Sequence, residues 1–440
     1  MRKLILLGLA QALLLLGGCG GGGSGAATSA GSTTGKGSGT GSGQTSNVVV
    51  MTVDAGPNVT STSGYDVDTP FITVTVCAPG STTNCQTIDH VEVDTGSYGL
   101  RIISAVMNSS LASALHQELG TNGNPVVECT QFIDGFSWGS VKTADVQIAG
   151  ESASSVPMQV IGDPSFQNEI PTACSGTGPE EDTVAEFHAN GILGVGPFGD
   201  DCGSGCASTA ANTFYYTCPA NGTGTGNCGG VAVSEPDQVT NPVVAFQTDN
   251  NGVIVELPAI PDPGGAVTAT GSLTFGIGTQ GNNGLGSATV LTANPSTGDI
   301  TTTYKGTPLA NSYLDTGSNG YYFDDSSIPT CPSTGSGSSS STWFCPASEL
   351  SLTATNTGRN GTASTVNFQV ANANTLFSTY QGHTALDDLG ASAGDESGYC
   401  PNSATDCSFD FGLPFFFGRN VYVAIAGANT EGGPGPYFAY

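Results

Sequence analysis

A four-residue unit that occurs twice constrains this chain more than anything else in it. Asp94-Thr95-Gly96-Ser97 follows the run Ile88-Asp89-His90-Val91-Glu92-Val93, and Asp315-Thr316-Gly317-Ser318 follows Asn311-Ser312-Tyr313-Leu314. Each copy closes an extended segment at an aliphatic residue. Each is then followed by another extended, apolar segment: Leu100-Arg101-Ile102-Ile103 in one case, Tyr321-Tyr322-Phe323 in the other. Chance supplies roughly a few hundredths of a copy of such a tetrapeptide in a chain of this composition, so two in matching contexts indicate duplication. The copies lie 315 − 94 = 221 residues apart, room for one lobe between them. The chain therefore reads as two related lobes, each presenting one aspartate.

Charge narrows the function classes. The net charge is −28, with 8 Lys and Arg, and three of these (Arg2, Lys3 and Lys36) precede the first lobe. The remainder holds no basic stripe able to neutralise phosphates, which argues against a nucleic-acid partner. At the N-terminus, Met1-Arg2-Lys3 is a short positive region. The apolar run Leu4 to Leu16 is too short to span a membrane. Its end, Leu16-Gly17-Gly18-Cys19, resembles the lipobox of bacterial lipoproteins. That resemblance implies a signal peptide over residues 1–18, lipidation at Cys19, and membrane attachment through the lipid anchor alone. Gly20 in place of aspartate favours the outer membrane of the cell envelope. An ordinary secretory signal is the alternative. Residues 19–46 are a Gly/Ser-rich tether that cannot bury a core.

Export makes the cysteines disulfide candidates. Thirteen minus Cys19 leaves twelve: Cys77 with Cys85, Cys202 with Cys206, Cys218 with Cys228, Cys331 with Cys345, Cys400 with Cys407, and Cys129 with Cys174 at longer range. Nested pairing among Cys202, Cys206, Cys218 and Cys228 is a second possibility. Zinc is a third, weakened by the lack of Cys-x-x-Cys pairs.

Beyond the tether the reading is mainly β, with an N-terminal lobe over 47–250 and a C-terminal lobe over 251–440. Helix is scarce, and Ser104 to Leu119 is the best candidate. Val126 to Ile148 reads as a long hairpin turning between Asp134 and Gly139. Glycine brackets the apolar run Ile192-Leu193-Gly194-Val195.

These residues resemble the pepsin-like aspartic peptidases. That resemblance implies the bilobal acid-protease fold, two related β-barrel-like lobes with a central cleft. It also implies a strand ending apolar-apolar-Gly behind each Asp-Thr-Gly loop. Ile192-Leu193-Gly194 matches in the first lobe (194 − 94 = 100) and Phe416-Phe417-Gly418 in the second (418 − 315 = 103). Asp94 and Asp315 are then the catalytic pair, sharing one proton because two carboxylates about 3 Å apart cannot both ionise. Gly96 and Gly317 turn the loops, Thr95 and Thr316 link them, and Ser97 and Ser318 support the carboxylates. The hairpin occupies the place of the family's flap, with Trp138 preferred to Phe136 as its aromatic tip. No metal or organic cofactor is needed.

Two positions depart from the family. Arg101 stands where a tryptophan is usual and Arg419 where an aspartate is usual, both read as structural partners for carboxylates such as Glu92 or Asp410. Other chemistries fare badly. The four histidines form no metal-spaced pair, and no nucleophile elbow or phosphate loop occurs. Acidic pairs such as Asp200-Asp201 and Asp395-Glu396 read as solvated surface rather than calcium ligands. The expected activity is an aspartic endopeptidase, acting as a monomer on extended peptides. The alternative is a surface or adhesion lipoprotein that keeps the scaffold without turnover.

Overall fold

The computed structural model describes residues 46–57, 66–167, 170–210, 212–219, 228–332, 342–393 and 408–440. Cys19, the leader, nearly all of the tether, Asp395-Glu396, Cys400 and Cys407 lie outside them. Strands dominate, in two barrel-like sheets of 16 and 7 strands. The longer sheet joins distant parts of the chain. Val48–Val53 pairs antiparallel with Ala269–Phe275, which pairs with Gly252–Leu257. That strand in turn pairs with Arg419–Ala424, then comes the C-terminal Tyr437–Ala439, and Val290–Thr292 ends the series. The aromatic tail thus docks as a strand.

Each Asp-Thr-Gly-Ser unit joins two strands that a third separates. Cys85–Asp94 leads into the first unit and Tyr98–Ile103 leaves it. Gly191–Val195 lies between them, parallel to the former (Asp94 opposite Gly194) and antiparallel to the latter (Gly99 opposite Gly194). In the second half Thr307–Leu314 enters and Tyr321–Tyr322 leaves. The strand between is Asp410–Phe411, with Leu314 opposite Phe411 in parallel and Tyr321 opposite Phe411 antiparallel.

This pairing corrects one expectation. The element behind the second loop is Asp410-Phe411-Gly412, 97 residues after Asp315 (412 − 315), not Phe416-Phe417-Gly418. Leu413–Phe415 forms a 3₁₀ turn instead. Phe416 and Phe417 are buried just beyond it, Phe417 bridging Leu257 in the larger sheet, before Arg419–Ala424 begins. Burying three consecutive phenylalanines needs several directions of packing, which a turn supplies and a strand with alternating faces does not.

One apolar core underlies both loops. Val93 and Leu193 beneath the first belong to the same buried cluster as Leu314 and Phe411 beneath the second. Aromatic rings fill its second-half portion: Phe409 stacks on Phe323 at 4.7 Å and on Phe411 at 4.1 Å. Truncating a fully buried member such as Leu314 to alanine would cost about 2–5 kcal/mol.

The expected helix from Ser104 to Leu119 shrinks to Ser109–Ala114. Asn108 caps it, its side chain accepting from the Leu111 amide, and Leu115 is already extended, after which His116–Gln117 pairs with the hairpin. Five of the expected cysteine pairs are disulfides: Cys77–Cys85, Cys129–Cys174, Cys202–Cys206, Cys218–Cys228 and Cys331–Cys345. The thiols considered for zinc are thus consumed in two short loops.

Candidate active site

The two loops meet back to back. The Thr95 amide donates to Thr316 Oγ1 at 3.0 Å, and the Thr316 amide donates to Thr95 Oγ1 at 3.0 Å. Each hydroxyl then donates onward to the backbone before the opposite aspartate: Thr95 Oγ1 to the Leu314 carbonyl at 2.9 Å, Thr316 Oγ1 to the Val93 carbonyl at 2.6 Å. Three buried polar groups of each loop, joined by these four hydrogen bonds, are satisfied by the other loop, which fixes the relative position of the two aspartates.

Glycine is required where each loop passes the opposite carboxylate. A Cβ at Gly96 would lie 2.6 Å from Asp315 Cγ, and one at Gly317 would lie 2.8 Å from Asp94 Cγ. Within each loop the glycine amide donates to its own aspartate, Gly96 to Asp94 Oδ1 at 2.7 Å and Gly317 to Asp315 Oδ1 at 2.8 Å. Both carboxyl groups are fully buried. Burial, then the charge of Asp94 and then that of Asp410, hold the Asp315 carboxyl well above the usual carboxylate range.

The two serines differ. Ser318 Oγ lies 3.1 Å from Asp315 Oδ2 and 2.6 Å from Asp410 Oδ2, bridging a catalytic candidate to a third buried carboxyl. Ser97 Oγ is buried and hydrogen-bonds to none of the described residues, so the expected support of Asp94 by Ser97 is absent. The register supplies the reason. Asp410 pairs with Tyr313, two residues before Asp315, and the matching position in the first half, opposite Glu92, is Ile192. An apolar side chain stands where Ser97 would need its partner.

The hairpin also departs from expectation. Val126–Gln131 pairs with Phe136–Ile148 around a turn at 132–135, which places Trp138 opposite Cys129, inside the strand. Trp138 and Phe136 are both buried, Trp138 donating from Nε1 to the Phe166 carbonyl at 3.1 Å and lying edge-on to Tyr216. Neither ring forms the tip. The turn is braced from outside, because the Phe136 amide donates to the Pro179 carbonyl at 2.9 Å and the Glu181 amide to the Phe136 carbonyl at 2.8 Å. The Cys129–Cys174 disulfide ties the other hairpin strand, Val126–Gln131, to a short helix.

Arg101 pairs with neither Glu92 nor Asp410. It is fully buried and forks onto Glu128, with Nη2 to Oε1 at 2.6 Å and Nε to Oε2 at 3.2 Å, while Nη2 also reaches Asp201 Oδ2 at 3.1 Å. Tyr215 donates its hydroxyl to Asp201 Oδ1 at 2.6 Å. This triad ties the hairpin strand to the strand leaving the first loop, and it makes Asp201 a core group rather than solvated surface. Arg419 instead covers the Phe415 ring at 4.6 Å and donates to the Phe415 carbonyl.

Sequence reasoning missed Asp410, whose signal was an acid inside the run Phe409-Asp410-Phe411-Gly412. It also missed Tyr98, which follows the first tetrapeptide. Burial, then the charges of Asp299, Asp94 and Asp315, push the Tyr98 phenol up. Burial likewise pushes Asp299 up to about 6.

The family described as "Protein of unknown function (DUF3443)" matches residues 43–440. The chain belongs to this family. No curated protein matches the sequence of this DUF3443 member. Among solved structures it is similar to an aspartic proteinase from Irpex lacteus, at 15% sequence identity and a TM-score of 0.46, over 89% of this chain and 96% of that one.

Proposed function

We propose that this DUF3443 protein is an aspartic endopeptidase that hydrolyses peptide bonds with water held between Asp94 and Asp315. One observation carries the reading: two Asp-Thr-Gly loops from distant parts of the chain are cross-linked through reciprocal threonine hydrogen bonds, each glycine facing the opposite carboxyl. Such a pair holds one proton between two oxygens that cannot both be charged, and it titrates as a unit. The shared proton favours Asp315, the member crowded by a further carboxyl. Asp94 is then the ionised general base that takes a proton from the water, and Asp315 donates to the scissile carbonyl oxygen. The buried loop amides fix both carboxyls in advance, so little reorganisation accompanies the step.

The proposal places the protein in the bacterial cell envelope, anchored at Cys19, with extended peptides as substrates. A second reading, a scaffold that binds without turnover, is favoured by one feature: the hairpin turn keeps Phe132 buried and is braced by residues 179–181 and a disulfide. Incubation of the protein with a mixed peptide library from about pH 3 to 7 separates the two readings. Cleavage that disappears in Asp94→Asn supports the peptidase; an intact library at every pH supports the scaffold.

A further inference from the structure

Acidic side chains gather at a second place, away from the two loops. Asp262 lies between the paired strands Gly252–Leu257 and Ala269–Phe275. Glu349 precedes the strand Leu350–Thr357, and Asp388 follows the helix Ala373–Thr379. Each offers one carboxylate oxygen, and the three oxygens lie within 4.8 Å of one another. Ligand oxygens on opposite sides of a calcium ion are about 5 Å apart, so the three fit one coordination sphere.

Asp388 is the group that ordinary surface chemistry leaves unexplained. It is 3% exposed, and its Oδ1 makes no hydrogen bond. Asp68, 1% exposed, stands nearby. Its Oδ1 accepts from the Leu386 amide at 2.7 Å, while its Oδ2 makes no hydrogen bond. Among the described residues, no Lys, Arg or His forms an ion pair with Asp262, Glu349 or Asp388. Burying carboxyl groups in mutual repulsion is costly unless a cation compensates.

We infer that Asp262, Glu349 and Asp388 bind a calcium ion, with the Gln369 amide as a fourth ligand. Gln369 Nε2 donates to Asp262 Oδ2 at 3.3 Å and to Glu349 Oε1. A half-turn of the amide exchanges donor for acceptor and presents Oε1 to the ion. The donors are all hard oxygens, three on separate loops and Gln369 on the strand Ala363–Val370, an irregular set that suits calcium better than magnesium, which demands a near-octahedral shell. The ion joins three loops of the C-terminal half beside Asp68, which arrives from the N-terminal half and receives the Leu386 amide. Its role is structural, and it is independent of the peptidase reading.

Titration calorimetry of the full chain with calcium chloride, after treatment with a chelator, tests the site. One ion should bind with a Kd on the order of 10⁻³ M or tighter, as in extracellular calcium modules, and raise the melting temperature. Asp262 and Glu349 are exposed, so Asp262→Asn and Glu349→Gln should fold normally. Each should weaken calcium binding by about tenfold or more. Absence of calcium binding by the unaltered chain would overturn the inference, as would unchanged affinity in both variants. Magnesium binding as tight as calcium would overturn the choice of ion.

Discussion

Thr95 and Thr316 hold each other's backbone: the amide of each donates to the hydroxyl of the other at 3.0 Å, at the point where the two halves of the chain touch. The contact is fully buried and reciprocal, so losing one side chain orphans groups in both loops.

Thr95→Val keeps the shape and removes the hydroxyl. The Thr316 amide loses its acceptor and the Leu314 carbonyl its donor, at about 1–3 kcal/mol for each orphaned group. Denaturant unfolding should register that loss. Peptide cleavage should fall by about 100-fold, because a small displacement of one loop moves its carboxyl relative to the other. Thr316→Val should behave alike, since it leaves the Val93 carbonyl and the Thr95 amide unpaired.

Asp410→Asn should shift the pH dependence toward acid. The charge of Asp410 is one of the causes that hold Asp315 up, after burial and Asp94, and its neutralisation lowers the pH at which the pair loses its shared proton. The basic limb of the kcat/KM profile should move down. An unmoved limb would show that the Ser318 bridge does not couple the two carboxyls.

Stability should peak near pH 4 and fall toward neutrality when measured with a chelator present. Burial raises Asp200 and Asp299 to about 6, and Glu180 and Asp388 to about 7, in each case as the leading cause. A carboxyl whose folded pKa is raised keeps its proton in the folded state after the unfolded chain has lost its own. Stability therefore drops as pH rises from about 4 through these values. Asp325 acts oppositely. Burial raises it, but hydrogen bonds from Lys305, Ser327 and Tyr304 outweigh this and bring it to about 2, so its contribution disappears below about pH 4. Melting temperatures across this range supply the check.

The two loops were legible because the chemistry that builds them is local. The Asp-Thr-Gly turn, its glycine and its threonine fall within four residues, and the flanking strands show in the apolar pattern. Long-range pairing was less legible. Asp410 broke the apolar-apolar-Gly pattern, so the all-apolar Phe416-Phe417-Gly418 took its place in the reading. Trp138 stood beside a glycine and resembled a hairpin tip, yet the turn forms four residues earlier around Asp134-Gly135. The partners of Arg101 lie 27 and 100 residues away, distances at which a single sequence carries no pairing signal.

Arg101→Met should destabilise the protein by about 3–5 kcal/mol, since it leaves Glu128 and Asp201 buried without a counter-charge. Adding Glu128→Gln should recover part of that loss. A double-mutant cycle in denaturant measures the coupling between the two side chains.

The most direct test of the paired carboxyls is calorimetric binding of a statine-type peptide, whose hydroxyl stands in for the attacking water, at about pH 4. The unaltered protein should bind it tightly. Asp94→Asn and Asp315→Asn should each cost at least about 100-fold in affinity, because the two carboxyls hold the hydroxyl together. Failure of the unaltered protein to bind, or unchanged binding in either variant, would contradict the existence of a working pair.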